Sequence, residues 1–206
     1  MVKVKICGIT DAKSALVAVK YGADAVGFVF AHSKRRITPE AAKDIIEQLP
    51  AHVEKVGVFV NETNETIEEI AAYCGLTMVQ LHGEEDAESC RKLRYPTIKA
   101  VGIASVADVK AALLYPSAYL LVDSPKGQVY QGGNGQSFDW RLVEGVHEAY
   151  NNIILAGGLN ADNVKEAIRV VRPAMVDVSS GVETNGMKDH QKIQRFLQNA
   201  KGENVQ

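Results

Sequence analysis

Along the chain, short apolar runs alternate with longer stretches in which apolar residues return every third or fourth position. The runs are VKVKICGI from Val2, AVGFVF from Ala25, EKVGVFV from Glu54, MVQLHG from Met78, TIKAVGI from Thr97, YLLVDS from Tyr119, NIILAGG from Asn152 and MVDVSSG from Met175. Each is rich in Val, Ile or Leu with little polar alternation, the pattern of parallel strands covered on both faces. Between them the stripes Ala12/Ala15/Leu16/Val19, Ala42/Ile45/Ile46/Leu49, Ile67/Ile70/Ala71/Cys74, Val164/Ala167/Ile168/Val171 and Ile193/Phe196/Leu197/Ala200 predict helices with one face on the sheet and the other in water. Start signals agree. Thr38-Pro39 reads as N-cap and first helical residue, Ser105 with Asp108 as a capping box, and Asn160 as the cap of the helix after Gly157-Gly158-Leu159.

Strand and helix alternate eight times with no Pro/Ser-rich linker between. The economical reading is a single (β/α)8 TIM barrel over residues 1–206, ending in a frayed polar tail at 202–206. A doubly wound open sheet is the alternative. No GxGxxG follows the first strand, however, and eight strands close a barrel without remainder.

Composition narrows the function. With 23 Lys and Arg against 25 Asp and Glu, the formal net charge is -2, so neither nucleic acid nor an anionic membrane is an expected partner. The start lacks an apolar signal core with a small-residue cleavage site, and no apolar stretch has transmembrane length, so a cytoplasmic protein is expected. Cys7, Cys74 and Cys90 are odd in number and lack CxxC spacing, which disfavours disulfides and structural zinc. Cys74 lies on a helix stripe and Cys90 in a predicted helix near Leu93, so both are assigned to packing. No dimer seam is legible, and a monomer is expected.

In such a barrel the ligand binds where the strands end at their C-termini. The runs end in Cys7-Gly8, Gln80-Leu81-His82-Gly83, Asp123-Ser124, Ala156-Gly157-Gly158 and Asp177-Val178-Ser179-Ser180-Gly181, while the second leads into HSKRR. After strands 7 and 8, Gly157, Gly158, Ser179, Ser180 and Gly181 offer backbone N–H groups near predicted helix starts, which suits a phosphate. Asp123 ends an apolar run, where a carboxylic acid could use partial burial to raise its pKa or could simply cap the next turn. Cys7 is either a small buried hydrophobe or a reactive thiol. Arg35 and Arg36 compete as the guanidinium that would hold a carboxylate. Lys5 and Lys99 lie within strands, and either could point inward. His82 has no second His or Glu at ligand spacing, and no P-loop, GxSxG elbow or clear Schiff-base lysine is present. Chemistry without metal or cofactor on a small phosphorylated substrate is expected. The break from Ser124 to Ser137, with Gly127, Gly132, Gly133 and Gly135, has the length of a lid or binding loop.

KICGIT at 5 to 10, GADAVGFVF at 22 to 30, SKRRITPE at 33 to 40, VGVFVNE at 56 to 62, VQLHGEE at 79 to 85, LLVDS at 120 to 124, GGNG and FDW at 132 to 140, LAGGLN at 155 to 160 and DVSSGVE at 177 to 183 stand in order along nearly the whole chain. Together they resemble the phosphoribosylanthranilate isomerase family. That resemblance implies a (β/α)8 enzyme of tryptophan biosynthesis that converts N-(5-phosphoribosyl)anthranilate to 1-(2-carboxyphenylamino)-1-deoxyribulose 5-phosphate, an Amadori rearrangement without cofactor. By position it implies Cys7 as general base, Asp123 as general acid and Arg35 as the holder of the anthranilate carboxylate. Asp177 is expected to contact the substrate amino or sugar hydroxyl groups, with Gln80 and His82 lining the pocket. The segment from Phe30 to Ser33 is short for the family, and Asn134 replaces a small hydroxyl residue. Two alternatives stand beside this reading. The histidine-pathway isomerase performs the same chemistry with two carboxylates, whereas strand 1 here ends in Cys7. A non-catalytic barrel binding a phosphorylated metabolite would need neither Cys7 nor Asp123.

Overall fold

The eight apolar runs form eight strands: β1 (Lys3–Cys7), β2 (Ala25–Val29), β3 (Glu54–Phe59), β4 (Met78–Leu81), β5 (Thr97–Gly102), β6 (Tyr119–Asp123), β7 (Ile153–Leu155) and β8 (Met175–Val178). In the computed structural model, which describes residues 1–124, 139–146 and 150–202, they close in sequence order into one parallel barrel. The seam is made by β1 on β8, with Lys5 opposite Asp177 and Ile6 opposite Val178. Closure excludes the open sheet.

Around the barrel run α1 (Ala12–Lys20), α2 (Pro39–Ile46), α3 (Asn64–Cys74), α4 (Ala87–Lys92), α5 (Val106–Ala112), α6 (Val164–Val171) and α7 (His190–Lys201). Between β6 and β7 the described residues hold a short 3-10 helix, Trp140–Val143. None of the described helices is long and apolar enough to cross a membrane. Thr38 caps α2 through the Ala41 amide with Pro39 first in the helix, and Ser105 and Asp108 form the reciprocal capping box of α5. α7 ends on left-handed Gly202, and the remaining tail residues lie outside the described ones.

Three local expectations need correction. The buried face of α1 is Ser14, Ala15 and Ala18, while Leu16 is exposed. Small residues let α1 approach α7, where Ser14 Oγ meets His190 Nε2 at 3.2 Å. Leu49 is buried, but beyond the end of α2. α6 begins at Val164 rather than directly after Asn160. Asn160 caps the turn ahead of it, its Oδ1 accepting from the amides of Asp162 and Asn163.

Alternation along each strand sorts the side chains into two cores. Val4, Ile6, Val26, Phe28, Val79, Leu81, Leu120 and Val122 pack outward under the helices, where Cys74 and Cys90 are also buried. Ala25, Val56, Met78, Ile98, Ala100, Leu121, Ile154, Ala156 and Met175 fill the barrel. On β1 the same alternation turns Lys5 and Cys7 inward. Lys99 faces outward instead, its Nζ donating to Glu85 Oε2 at 2.8 Å and to the Gly83 carbonyl at 2.8 Å.

Candidate active site

At the C-terminal end of the barrel an open cavity of about 360 Å³ is lined by Cys7, Arg35, Gln80, His82, Asp123, Gly157, Gly158, Asp177, Ser179 and Ser180. Strand ends from both halves of the chain thus converge on one space. Val29, Ala31, Val58 and Val60 supply an apolar wall on the side of β2 and β3. Arg36 turns away, into a separate groove with Phe30, Ile37 and Phe59. Of the two competing arginines, the cavity receives Arg35.

Gly181 stands behind the cavity. A Cβ there would collide with the Leu159 carbonyl, so the glycine lets the loops after β7 and β8 pack together. Gly157 has φ +80, and a Cβ on it would lie 2.8 Å from Asp123 Oδ1 and 2.5 Å from Ser124 Oγ. Only glycine brings the β7 loop this close to the end of β6. The amides of Gly157 and Gly158 donate to no protein acceptor among the described residues, which leaves them to a ligand. The β8 loop continues as a 3-10 turn, Ser180–Val182, rather than as the start of an α-helix.

Beneath the cavity lies a buried polar chain. Lys5 Nζ donates to Asp177 Oδ1 at 3.0 Å and to Gln80 Oε1 at 2.9 Å. Because Gln80 accepts from Lys5 through its oxygen, its Nε2 is left to donate to His82 Nδ1, 3.1 Å away. That fixes the neutral imidazole with its proton on Nε2, the nitrogen 3.8 Å from Asp123 Oδ2. Asp123 Oδ1 accepts from the adjacent Ser124 amide at 2.6 Å, while the turn it could cap and the rest of the loop to Ser137 lie outside the described residues.

The electrostatics separate the two groups at the ends of β1 and β6. Burial pushes Asp123 up to about 6, with the Ser124 amide opposing and Asp177 adding to the rise. Burial also pushes the Cys7 thiol up, and the nearby Lys5 charge opposes it. Burial disfavours the charge of Lys5, but Asp177 and Cys7 more than offset it and keep the ammonium protonated. An acid that holds its proton toward neutrality and a thiol beside a buried cation are therefore placed at one cavity.

Arg35 is engaged from one side. Its Nε and Nη2 donate to Glu183 Oε1 and Oε2 at 2.6 and 2.8 Å. Lys188 Nζ donates to the same Glu183 Oε1 at 2.6 Å and to the Ser179 carbonyl at 3.0 Å, while Ser179 Oγ donates to the Cys7 carbonyl at 3.0 Å. Burial alone would raise Glu183; the two cations hold it below the usual carboxylate range. Sequence reading did not assign Glu183 or Lys188 to the site and left the direction of Lys5 open. A signal for the pair was present: Asn185-Gly186 is a hairpin-turn dipeptide, and both residues have positive φ between β9 (Glu183–Thr184) and β10 (Met187–Lys188). That turn sets Glu183 opposite Lys188.

Comparison with known proteins agrees with this arrangement. A family profile for N-(5'phosphoribosyl)anthranilate (PRA) isomerase matches residues 4–199. The chain is 58% identical over 200 residues to N-(5'-phosphoribosyl)anthranilate isomerase of Bacillus mycoides strain KBAB4, covering 97% of this chain and 98% of the relative. Phosphoribosyl anthranilate isomerase of Thermotoga maritima superposes with a TM-score of 0.91 at 50% identity, covering 98% of this chain and 100% of that one. A phosphoribosyl anthranilate isomerase solved in complex with reduced 1-(o-carboxyphenylamino)-1-deoxyribulose 5-phosphate superposes with a TM-score of 0.89, at 50% identity and with the same coverage. Strand order, rim residues and a match over nearly the full length place the chain in the N-(5'-phosphoribosyl)anthranilate isomerase family.

Proposed function

We propose that this chain, acting as one barrel over its length, isomerises N-(5'-phosphoribosyl)anthranilate in tryptophan biosynthesis, with Asp123 as general acid and Cys7 as general base. Asp123 protonates the furanose ring oxygen as the anthranilate nitrogen lone pair opens the ring to an iminium ion. The iminium makes the C2' proton acidic, and Cys7 removes it. The resulting enolamine tautomerises to the ketone. The observation that carries this reading is the pairing, across one cavity, of a carboxyl raised to about 6 with a buried thiol beside the Lys5 cation. Retention of both groups distinguishes a catalyst from a barrel that only binds a phosphorylated metabolite.

Binding groups surround that pair. The free amides of Gly157 and Gly158, with Ser179 and Ser180, suit the phosphate. The apolar wall on the side of β2 and β3 suits the aromatic ring, and Arg35, held by Glu183 of the β8 loop, suits its carboxylate. Gln80 and His82 line the middle, and Asp177 keeps one oxygen on Lys5. Gripping both ends of the substrate turns remote binding energy into alignment of the reacting carbon. Among the described residues, the exposed large hydrophobics include Leu16 on α1, Tyr73 on α3, Val106 at the start of α5 and Met187 on β10; the barrel is read as a monomeric, cytoplasmic enzyme.

The test generates the substrate in situ from anthranilate and phosphoribosyl pyrophosphate with anthranilate phosphoribosyltransferase and follows loss of its fluorescence. Cys7→Ser and Asp123→Asn are each expected to lower kcat by roughly 10²- to 10⁴-fold while the circular dichroism spectrum is kept. Near-normal kcat in either variant removes that residue from its role.

A further inference from the structure

We propose that Glu183, clamped by Lys188 across the Asn185-Gly186 turn, is a positioning residue that aims Arg35 at the aromatic carboxylate of the substrate. The inference rests on the assignment of that carboxylate to Arg35. A guanidinium has two edges that can make a two-pronged pair with a carboxylate. Glu183 takes the Nε/Nη2 edge at 2.6 and 2.8 Å. What remains includes the end-on edge, one proton each on Nη1 and Nη2, and Arg35 lines the cavity. The arginine is thus held by one carboxylate in the orientation in which it can take a second.

Lys188 makes the arrangement workable. Arg35 with Glu183 alone would be a neutral pair and a weak anion site. Lys188 is buried and donates to the same Glu183 oxygen at 2.6 Å, so two cations share one anion and the cluster keeps a net positive charge. Lys188 also donates to the Ser179 carbonyl and hydroxyl at 3.0 and 3.2 Å. One buried ammonium therefore ties the aim of Arg35 to the loop that ends β8 and, through Ser179 Oγ, to the carbonyl of Cys7. Gly8 leaves room for the Arg35 stem, since a Cβ there would lie 2.5 Å from its Cδ.

The experiment measures binding of reduced 1-(o-carboxyphenylamino)-1-deoxyribulose 5-phosphate and of its counterpart lacking the ring carboxylate, by calorimetry, to the wild type, Glu183→Gln, Glu183→Asp and Arg35→Ala. Glu183→Gln is expected to weaken the carboxylate-bearing ligand roughly tenfold or more, the scale of one charge-assisted hydrogen bond, and the other ligand by no more than about twofold. KM should rise by a similar factor with kcat nearly unchanged, because aiming is lost while the acid and base remain. Glu183→Asp, which keeps the charge on a shorter arm, should recover part of the loss and serves as the measured variant if Glu183→Gln does not fold. Equal weakening of both ligands, or no weakening of either, overturns the positioning role. If Arg35→Ala also fails to discriminate between the ligands, the assignment of Arg35 itself is wrong; if it discriminates and the Glu183 variants do not, only the positioning role falls.

Discussion

On the proposed roles, a raised carboxyl and a raised thiol in one cavity have a consequence for the rate. Asp123 is pushed up to about 6 by burial, and burial pushes Cys7 above its ordinary range. The working form, with Cys7 as thiolate and Asp123 protonated, is then the minor of the two singly protonated forms. Its population is constant between the two pKa values. Below the lower one the thiolate fraction falls with no further gain in protonated acid, and above the upper one the acid is lost with no further gain in thiolate. We expect kcat/KM to be flat from about pH 6 into the alkaline range, with unit slopes outside it, the limbs belonging to the pair rather than to either residue. A profile with no acid limb near 6 would remove Asp123 from the role. The same shift has a stability counterpart. A carboxyl whose folded pKa is raised contributes stability below its unfolded pKa near 3.8 and loses it as pH rises through about 6. Asp123→Asn should therefore raise Tm at pH 8 and leave it little changed at low pH, as differential scanning calorimetry would show.

The seam that closes the barrel carries a buried charge pair among its hydrocarbon. Lys5 on β1 and Asp177 on β8 are register partners at the seam, both buried, with Gln80 of β4 as the second acceptor. Removing one member of a buried pair leaves an uncompensated charge, at a cost of about 3 to 5 kcal/mol. Lys5→Met should lose about that much in urea denaturation, and adding Asp177→Asn should recover a large part of it. Full loss in the double variant would mean that the Lys5 contact with Gln80, not the ion pair, holds the seam. The same substitution withdraws the cation that opposes the rise of the Cys7 thiol, so the alkaline limb of the rate profile should move upward. On the proposed role of Cys7, seam stability and base activation are coupled through one ammonium group.

At the scale of the molecule, the barrel separates tasks by depth and by side. Its floor is the apolar interior cluster, and its upper layer is the polar chain from Asp177 through Lys5 and Gln80 to His82. Above these sit Asp123 and Cys7, with the glycine loops of β7 and β8 on one flank, the apolar wall on the other, and Arg35 held to the β8 loop through Glu183. The proposed reading takes the chain as a monomer. We expect one species of monomer mass in sedimentation velocity across a hundredfold dilution, with specific activity constant over the same range. A T. maritima relative with 49% identity, described as a dimer from which monomers were generated, shows that this fold can also pair; activity that falls on dilution would place the present chain with it.

Strands, most helix faces and the two glycine loops were legible in the chain because their signals are local. Apolar runs, helical periodicity, caps and glycines depend on residues within a few positions of one another. The α1 stripe was misread because the tight approach to α7, not hydrophobicity, decides which face is buried there. For Cys7 and Asp123 the proposed roles rest on family resemblance, since a thiol or carboxyl at a strand end has an equally good structural use. Only the tertiary structure separated Arg35 from Arg36, turned Lys5 inward and Lys99 outward, set the His82 tautomer and joined Glu183 to the site. The physical reason is the same in most of these cases: the deciding partner, Asp177 for Lys5 or Glu183 for Arg35, lies in a distant part of the chain and becomes a neighbour only when β8 closes on β1.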